Sequence, residues 1–93
     1  MRLKDHEITA IKETVKKYDG SAEVFLYGSR ADDTKKGGDI DILIISDKIK
    51  LDEKIKIKIE LYGKIGEQKI DLVAAPEINT AFLNYIYKTS IRL

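Results

Sequence analysis

The chain has 93 residues, 17 of them basic and 16 acidic, a formal net charge of +1 and no cysteine. A chain of this length reads as one domain, residues 1–93, and buries only about 60–65% of its unfolded surface, which leaves little material for a deep closed pocket. The balanced charge argues against a bulk electrostatic grip on nucleic acid, so no direct nucleic-acid binding is expected, and the missing thiols exclude a disulfide framework or a thiolate metal site.

In chain order, Ile8, Ile11, Val15 and Tyr18 fall at helical spacing among Lys and Glu residues, which predicts a helix over Glu7–Lys17 with Asp5 as its N-cap and Asp19-Gly20 as its stop. Ala22–Tyr27 is short, apolar and partly aromatic, a buried strand that runs into Gly28-Ser29. Residues 30–38 are polar and end in Gly37-Gly38, a turn before a second strand over Asp39–Ile45. Lys50–Ile65 fits two patterns. Ile55, Ile57, Ile59 and Leu61 alternate as in a strand, while Leu51, Ile55, Ile59 and Tyr62 form a helical stripe with Ile57, Leu61 and Ile65 beside it. The length favours a helix ending near Gly63 or Gly66. Lys69–Ala74 is a third strand, Pro76 breaks it, and Thr80–Lys88 is a last helix with Phe82, Leu83 and Ile86 inward. The fold class is α/β (α+β), a mixed three-stranded sheet packed by helices in the order α-β-α-β-α-β-α. Apolar runs such as Ile42–Ile45 are far too short to span a membrane. No apolar signal region follows Met1, so a soluble, cytoplasmic protein is expected.

The residues that carry chemistry are Gly28-Ser29-Arg30 and, nine residues later, Asp39-Ile40-Asp41. A glycine at a strand end lets the backbone turn sharply and approach a ligand. A helical turn starting at Ser29 would offer its N–H groups and hydroxyl to phosphate, and Arg30 would add a charged donor fork. In a strand, residues i and i+2 share a face, so Asp39 and Asp41 point the same way with Cα atoms roughly 6.5 Å apart. Their repulsion, about 3 kcal/mol at an effective dielectric near 20, is relieved by a hard cation that prefers oxygen ligands. Asp71 is a further lone acid inside an apolar strand, Lys69-Ile70-Asp71-Leu72-Val73. If the two strands are neighbours, three carboxylates converge, a set that can hold two divalent ions for in-line phosphoryl chemistry.

This composite pattern resembles the minimal nucleotidyltransferase (MNT) family of the DNA polymerase beta superfamily. The flanking residues Leu26-Tyr27-Gly28-Ser29-Arg30-Ala31 and Gly38-Asp39-Ile40-Asp41-Ile42-Leu43-Ile44 support the resemblance, which spans essentially the whole chain. It implies the nucleotidyltransferase fold, magnesium (Mg2+, two ions) on Asp39, Asp41 and Asp71, and ATP with its phosphates on Gly28 and Ser29, Arg30 assisting. Asp32-Asp33 stand where the family often has a basic residue and a glycine, and Lys35-Lys36 follow them. The resemblance further implies a small all-helical HEPN-type toxin as partner, neutralised by transfer of AMP to one of its tyrosines. Chain length points the same way, because an acceptor pocket would need residues this chain lacks. The acceptor hydroxyl would arrive on another polypeptide or on a second copy. Two alternatives stand beside this reading. One is a non-catalytic antitoxin or binding module, the other transfer to a small molecule with a separate substrate-binding subunit. His6 reads as a surface residue, Tyr85 and Tyr87 as a mixture of packing and interface, and the lysines between Lys48 and Lys69 as a solvated helix face.

Overall fold

A computed structural model describes all residues, Met1–Leu93. The elements are α1 (Asp5–Tyr18), β1 (Glu23–Tyr27), a single 3-10 turn (Ser29–Ala31), β2 (Ile40–Ile45), α2 (Leu51–Ile65), β3 (Ile70–Ala75), α3 (Ala81–Lys88) and β4 (Ile91–Arg92). The sheet runs β3-β2-β1-β4. β1 is antiparallel to β2 and to β4, whereas β2 and β3 are parallel, with α2 as the crossover that parallel pairing requires.

The expected elements form, and four details differ. The sheet has a fourth strand: Ile91 and Arg92 pair with Leu26 and Phe25, and two residues are too few to show any alternation. Asp5 lies inside α1 rather than capping it. The N-cap is Lys4, whose amide donates to Glu7 Oε1 at 2.9 Å, and Asp5 instead places negative charge in the first turn, where the helix dipole favours it. Thr80 caps α3 and accepts the Leu83 amide at 3.1 Å. Phe82 was expected inward but is exposed, because an eight-residue helix buries one narrow line, here Leu83 and Ile86, and Phe82 lies about 100° off it.

The rotation of α2 decides between its two apolar lines. The segment is a helix, but it buries Ile57 and Leu61 and leaves Leu51, Ile55, Ile59 and Tyr62 exposed. Polar clasps to α1 fix that rotation: Lys17 Nζ and Tyr18 Oη donate to Glu60 Oε1 at 2.5 and 3.2 Å, and Lys64 Nζ donates to Thr14 Oγ1 at 2.8 Å.

Period-2 alternation divides the sheet residues between two faces. Val24, Leu26, Ile40, Ile42, Ile44 and Ile70 pack against Ile11 and Val15 of α1 and Ile57 and Leu61 of α2. On the other face Phe25 and Leu43 pack against Leu83 and Ile86 of α3, with Tyr87 of the same helix edge-on to Phe25 at 5.2 Å between ring centroids. One face is thus covered by two full helices and the other in part by a short one. Asp41 and Asp71 share parity with Leu43 and Val73, so they sit on the thinly covered face. No helix is long and apolar enough to cross a membrane.

Candidate active site

The register builds the acid cluster. Asp41 lies opposite Tyr27 in β1 and opposite Asp71 in β3. β2 and β3 are parallel and start level with each other, so acids near the start of each meet at one end of the sheet. Asp39 stands just before β2. The three half-buried carboxylates each offer an oxygen, and these oxygens all lie within 4.8 Å of one another. Asp71 is therefore aimed at the other two, as the two-metal expectation requires.

The electrostatics are those of a site short of positive charge. Burial, then the charges of Asp71 and Asp39, push the Asp41 carboxyl above the usual aspartate range. Lys69 Nζ stands 3.3 Å from Asp39 Oδ2, and that contact with Asp39 holds the ammonium above the ordinary lysine range. Burial, then Asp41 and Asp71, push the Tyr27 phenol up as well. One exposed lysine does not compensate three carboxylates. The donors are all oxygen, the preference of Mg2+, so this residue set fits the expected ions.

The turn after β1 is built around the cluster. Gly28 has φ 74° and ψ −157°, a conformation essentially closed to other residues. It also has no room for a side chain: a Cβ there would overlap Asp41 Oδ2 and lie 3.2 Å from Asp41 Cγ. Gly38, at φ 89°, plays the same part for Ser29, since a Cβ would overlap the Ser29 hydroxyl. The two glycines bring the turn, its serine and the acids into one contiguous surface.

The family model described as Polymerase beta, Nucleotidyltransferase matches residues 9–93, which include every residue of this surface. The chain belongs to this family. A comparison with curated proteins finds no match. The domain is a nucleotidyltransferase, and a carboxylate cluster beside a glycine-serine turn is an arrangement that suits nucleotidyl transfer.

Within this nucleotidyltransferase site, the Arg30 guanidinium is anchored to the protein: Nε donates to Gly38 O at 3.2 Å, Nη1 to Arg2 O at 3.1 Å and Nη2 to Gln68 Oε1 at 3.3 Å, which uses three of its five N–H donors. Three fixed acceptors hold the fork in place, and Arg30 acts as a clasp on the loop. Gln68 passes the connection to Glu7, donating to its Oε2 at 2.8 Å. Burial pushes the Glu7 carboxyl up, but the hydrogen bonds from Gln68 and the Lys4 amide outweigh it and leave it below its usual range. Arg2, which the sequence did not single out, clasps the same loop through Ser29 O at 3.1 Å and Gly37 O at 2.7 Å. Asp32 closes a local turn by accepting from the Thr34 amide at 2.9 Å and its hydroxyl at 2.6 Å. His6 is exposed, as expected.

A cavity of about 530 Å³ opens beside the turn. Gly28, Ser29, Ala31, Asp32 and Lys35 form one wall, and Tyr27 with Phe82, Tyr85, Ile86 and Thr89 the other. The acids adjoin it through Gly28. Phe82 and Tyr85 are exposed apart from this contact and give it an aromatic side.

The raised Asp41 pKa predicts a pH effect in the metal-free protein. An acid whose folded pKa exceeds its unfolded value costs stability wherever it is ionised, and that cost disappears as pH falls through the raised value to the ordinary one near 4. Asp41→Asn should therefore raise the melting temperature at pH 7 in EDTA, with the gain shrinking as pH falls towards 4. Thermal melts of both proteins across that range check it.

Proposed function

We propose that this nucleotidyltransferase moves AMP from ATP to a hydroxyl of a partner protein, a tyrosine of a small all-helical HEPN-type toxin, and so acts as its antitoxin in the cytoplasm. The observation that carries this reading is the cluster of Asp39, Asp41 and Asp71 beside Gly28-Ser29 on a sheet face that only α3 partly covers. The resemblance to the MNT family supports the choice of partner and acceptor. The exposed site supports it too, because a folded polypeptide can bring its side chain to a surface that would not enclose a small acceptor.

In this reading the Ser29 hydroxyl and the turn amides hold the β- and γ-phosphates, with Lys35 close by. Asp39 and Asp41 would hold the divalent ions, and Asp71 would complete the acceptor side and orient the incoming hydroxyl. Bound divalent ions would neutralise the triphosphate and lower the hydroxyl pKa. The acceptor oxygen forms a bond to the α-phosphorus. The bond from that phosphorus to the α,β-bridging oxygen breaks, pyrophosphate leaves with the electron pair, and the hydroxyl proton passes by way of Asp71 to solvent.

The test is incubation with labelled ATP, Mg2+ and a small all-helical HEPN-type protein, followed by mass spectrometry of that protein. Addition of AMP to a tyrosine is the expected result. Protection against the toxin that persists in an Asp39→Ala, Asp41→Ala double variant would make the chain a covering antitoxin instead. Label found only on a small molecule would point to a separate substrate-binding subunit.

In this reading the adenine would lie in the cavity against Phe82 and Tyr85. A base stacked on an aromatic ring gains about 1–3 kcal/mol, so Tyr85→Ala should raise KM for ATP by about tenfold with kcat little changed, the pattern of a lost ground-state contact. Steady-state kinetics over an ATP series check it.

A further inference from the structure

The outward face of α2 has no counterpart elsewhere in its layer. Leu51 is 66% exposed, Ile55 49%, Ile59 63% and Tyr62 38%. They fall at helical spacing and make one line about 16 Å long. α1 packs on the same sheet face, and its exposed residues, Asp5, His6, Thr9, Glu13, Lys16 and Lys17, include no large apolar side chain. Nor can α2 roll to bury the line, because Glu60 and Lys64 are tied to α1 while Ile57 and Leu61 fill the core.

The edges of the line suggest what covers it. Lys54 and Lys58 flank one side, Asp52 and Lys56 the other, so the rim is net positive. In an antiparallel pair of α2 helices from two copies, Lys54 and Lys58 would face the same lysines of the other copy, and only the Asp52 and Lys56 edge could pair. A single helix with acidic edges answers Lys54, Lys56 and Lys58 and is opposed only by Asp52 at the start of the line, so its charges complement this rim better than a second copy does, and its apolar line fits a narrow stripe.

We propose that the Leu51–Tyr62 face of α2 is a docking surface for an amphipathic helix of a partner protein, one with an apolar line flanked by Asp or Glu. This surface lies on the sheet face opposite the acid cluster, so a bound helix leaves the active site open. The inference uses none of the catalytic residues and stands apart from the proposed acceptor.

The probe is a labelled synthetic helical peptide of about 18 residues, with Leu at positions i, i+3, i+4 and i+7 and Glu along both edges, compared with its Lys-edged twin. The Glu-edged peptide should bind and shift the NMR resonances of Leu51, Ile55, Ile59 and Tyr62 but not those of Asp39, Asp41 and Asp71. Ile55→Glu and Ile59→Glu should each weaken binding by about tenfold or more, as should the Lys-edged sequence. Both substitutions are at exposed positions, and circular dichroism checks that the fold is kept. Failure of the Glu-edged peptide to bind, or equal binding of the two peptides, overturns the proposal. So does dimerisation in the ultracentrifuge that Ile59→Glu abolishes, which would make the occupant a second copy. Sedimentation with phosphatidylserine vesicles that the same variant loses would make it a membrane.

Discussion

Asp41→Asn is expected to reduce nucleotidyl transfer by about 10³-fold while leaving the fold intact and the metal-free protein more stable. The two effects share a cause. Asp41 is the central acid, opposite Asp71 in the register and close to Asp39, and its carboxyl is held above its usual pKa by burial and by those two neighbours. An amide keeps its shape and removes its charge. Without a metal ion, that change relieves repulsion; with substrate and metal, it removes a ligand from the group that meets the charge developing at the α-phosphorus. Losing one electrostatic partner of a transition state costs about 10²–10³ in rate, and a central carboxylate belongs at the top of that range. A structural role for Asp41 predicts the opposite sign for stability, since removing a needed partner destabilises. Two measurements separate the cases: transfer from labelled ATP, and melting temperature with EDTA and with Mg2+. Wild type should gain stability on adding Mg2+, and the variant should gain little. A variant that still transfers label at the wild-type rate would remove Asp41 from the chemistry.

Much of this site could be read from the sequence because it rests on strand periodicity. An acid in an apolar strand is conspicuous, and period 2 puts Asp39 and Asp41 on one face without further knowledge. Asp71 was visible for the same reason, and the parallel register of β2 and β3 then set it opposite Asp41. The family match confirms the superfamily that the Gly-Ser and Asp pattern suggested. What could not be read depends on partners distant in the chain. Arg30 is clasped by Arg2, 28 residues before it, and by Gln68, 38 residues after it, and no local pattern announces such contacts. Gly38 could be read as a turn residue, but not as the neighbour that leaves room for the Ser29 hydroxyl. The inward face of α2 was not legible for a related reason. Two apolar lines lie side by side on that helix, and Glu60 and Lys64, by binding α1, decide which one turns inward. β4 and Phe82 mark the limits of length: two residues carry no period, and eight make too short a helix for every apolar residue to be core.

Gly28→Ala should disable the enzyme without touching a carboxylate, and it should do so by two routes that can be measured apart. The first is backbone strain. With φ 74° and ψ −157°, Gly28 occupies a region that costs other residues about 1–3 kcal/mol, so the variant should lose about that much stability in urea melts. The second is displacement. The new methyl would occupy the place of Asp41 Oδ2 and press on Asp41 Cγ at 3.2 Å. A carboxylate at the end of a short side chain can swing away, so this route costs little stability, but the swing breaks the convergence of the three acids. A shift of about 1 Å in a reacting array can cost about 10²-fold in rate. Gly63→Ala is the control, because Gly63 sits in α2 with nothing near the added methyl. There alanine should add up to about 1 kcal/mol of helix stability and leave transfer unchanged. The position of Asp41 decides between the two routes. If Gly28→Ala lost stability but retained full transfer and full stabilisation by Mg2+, the contact between Gly28 and Asp41 would be packing alone. Loss of transfer together with loss of Mg2+ stabilisation is the expected result, because the missing Cβ at Gly28 is what gives Asp41 its place among the three acids.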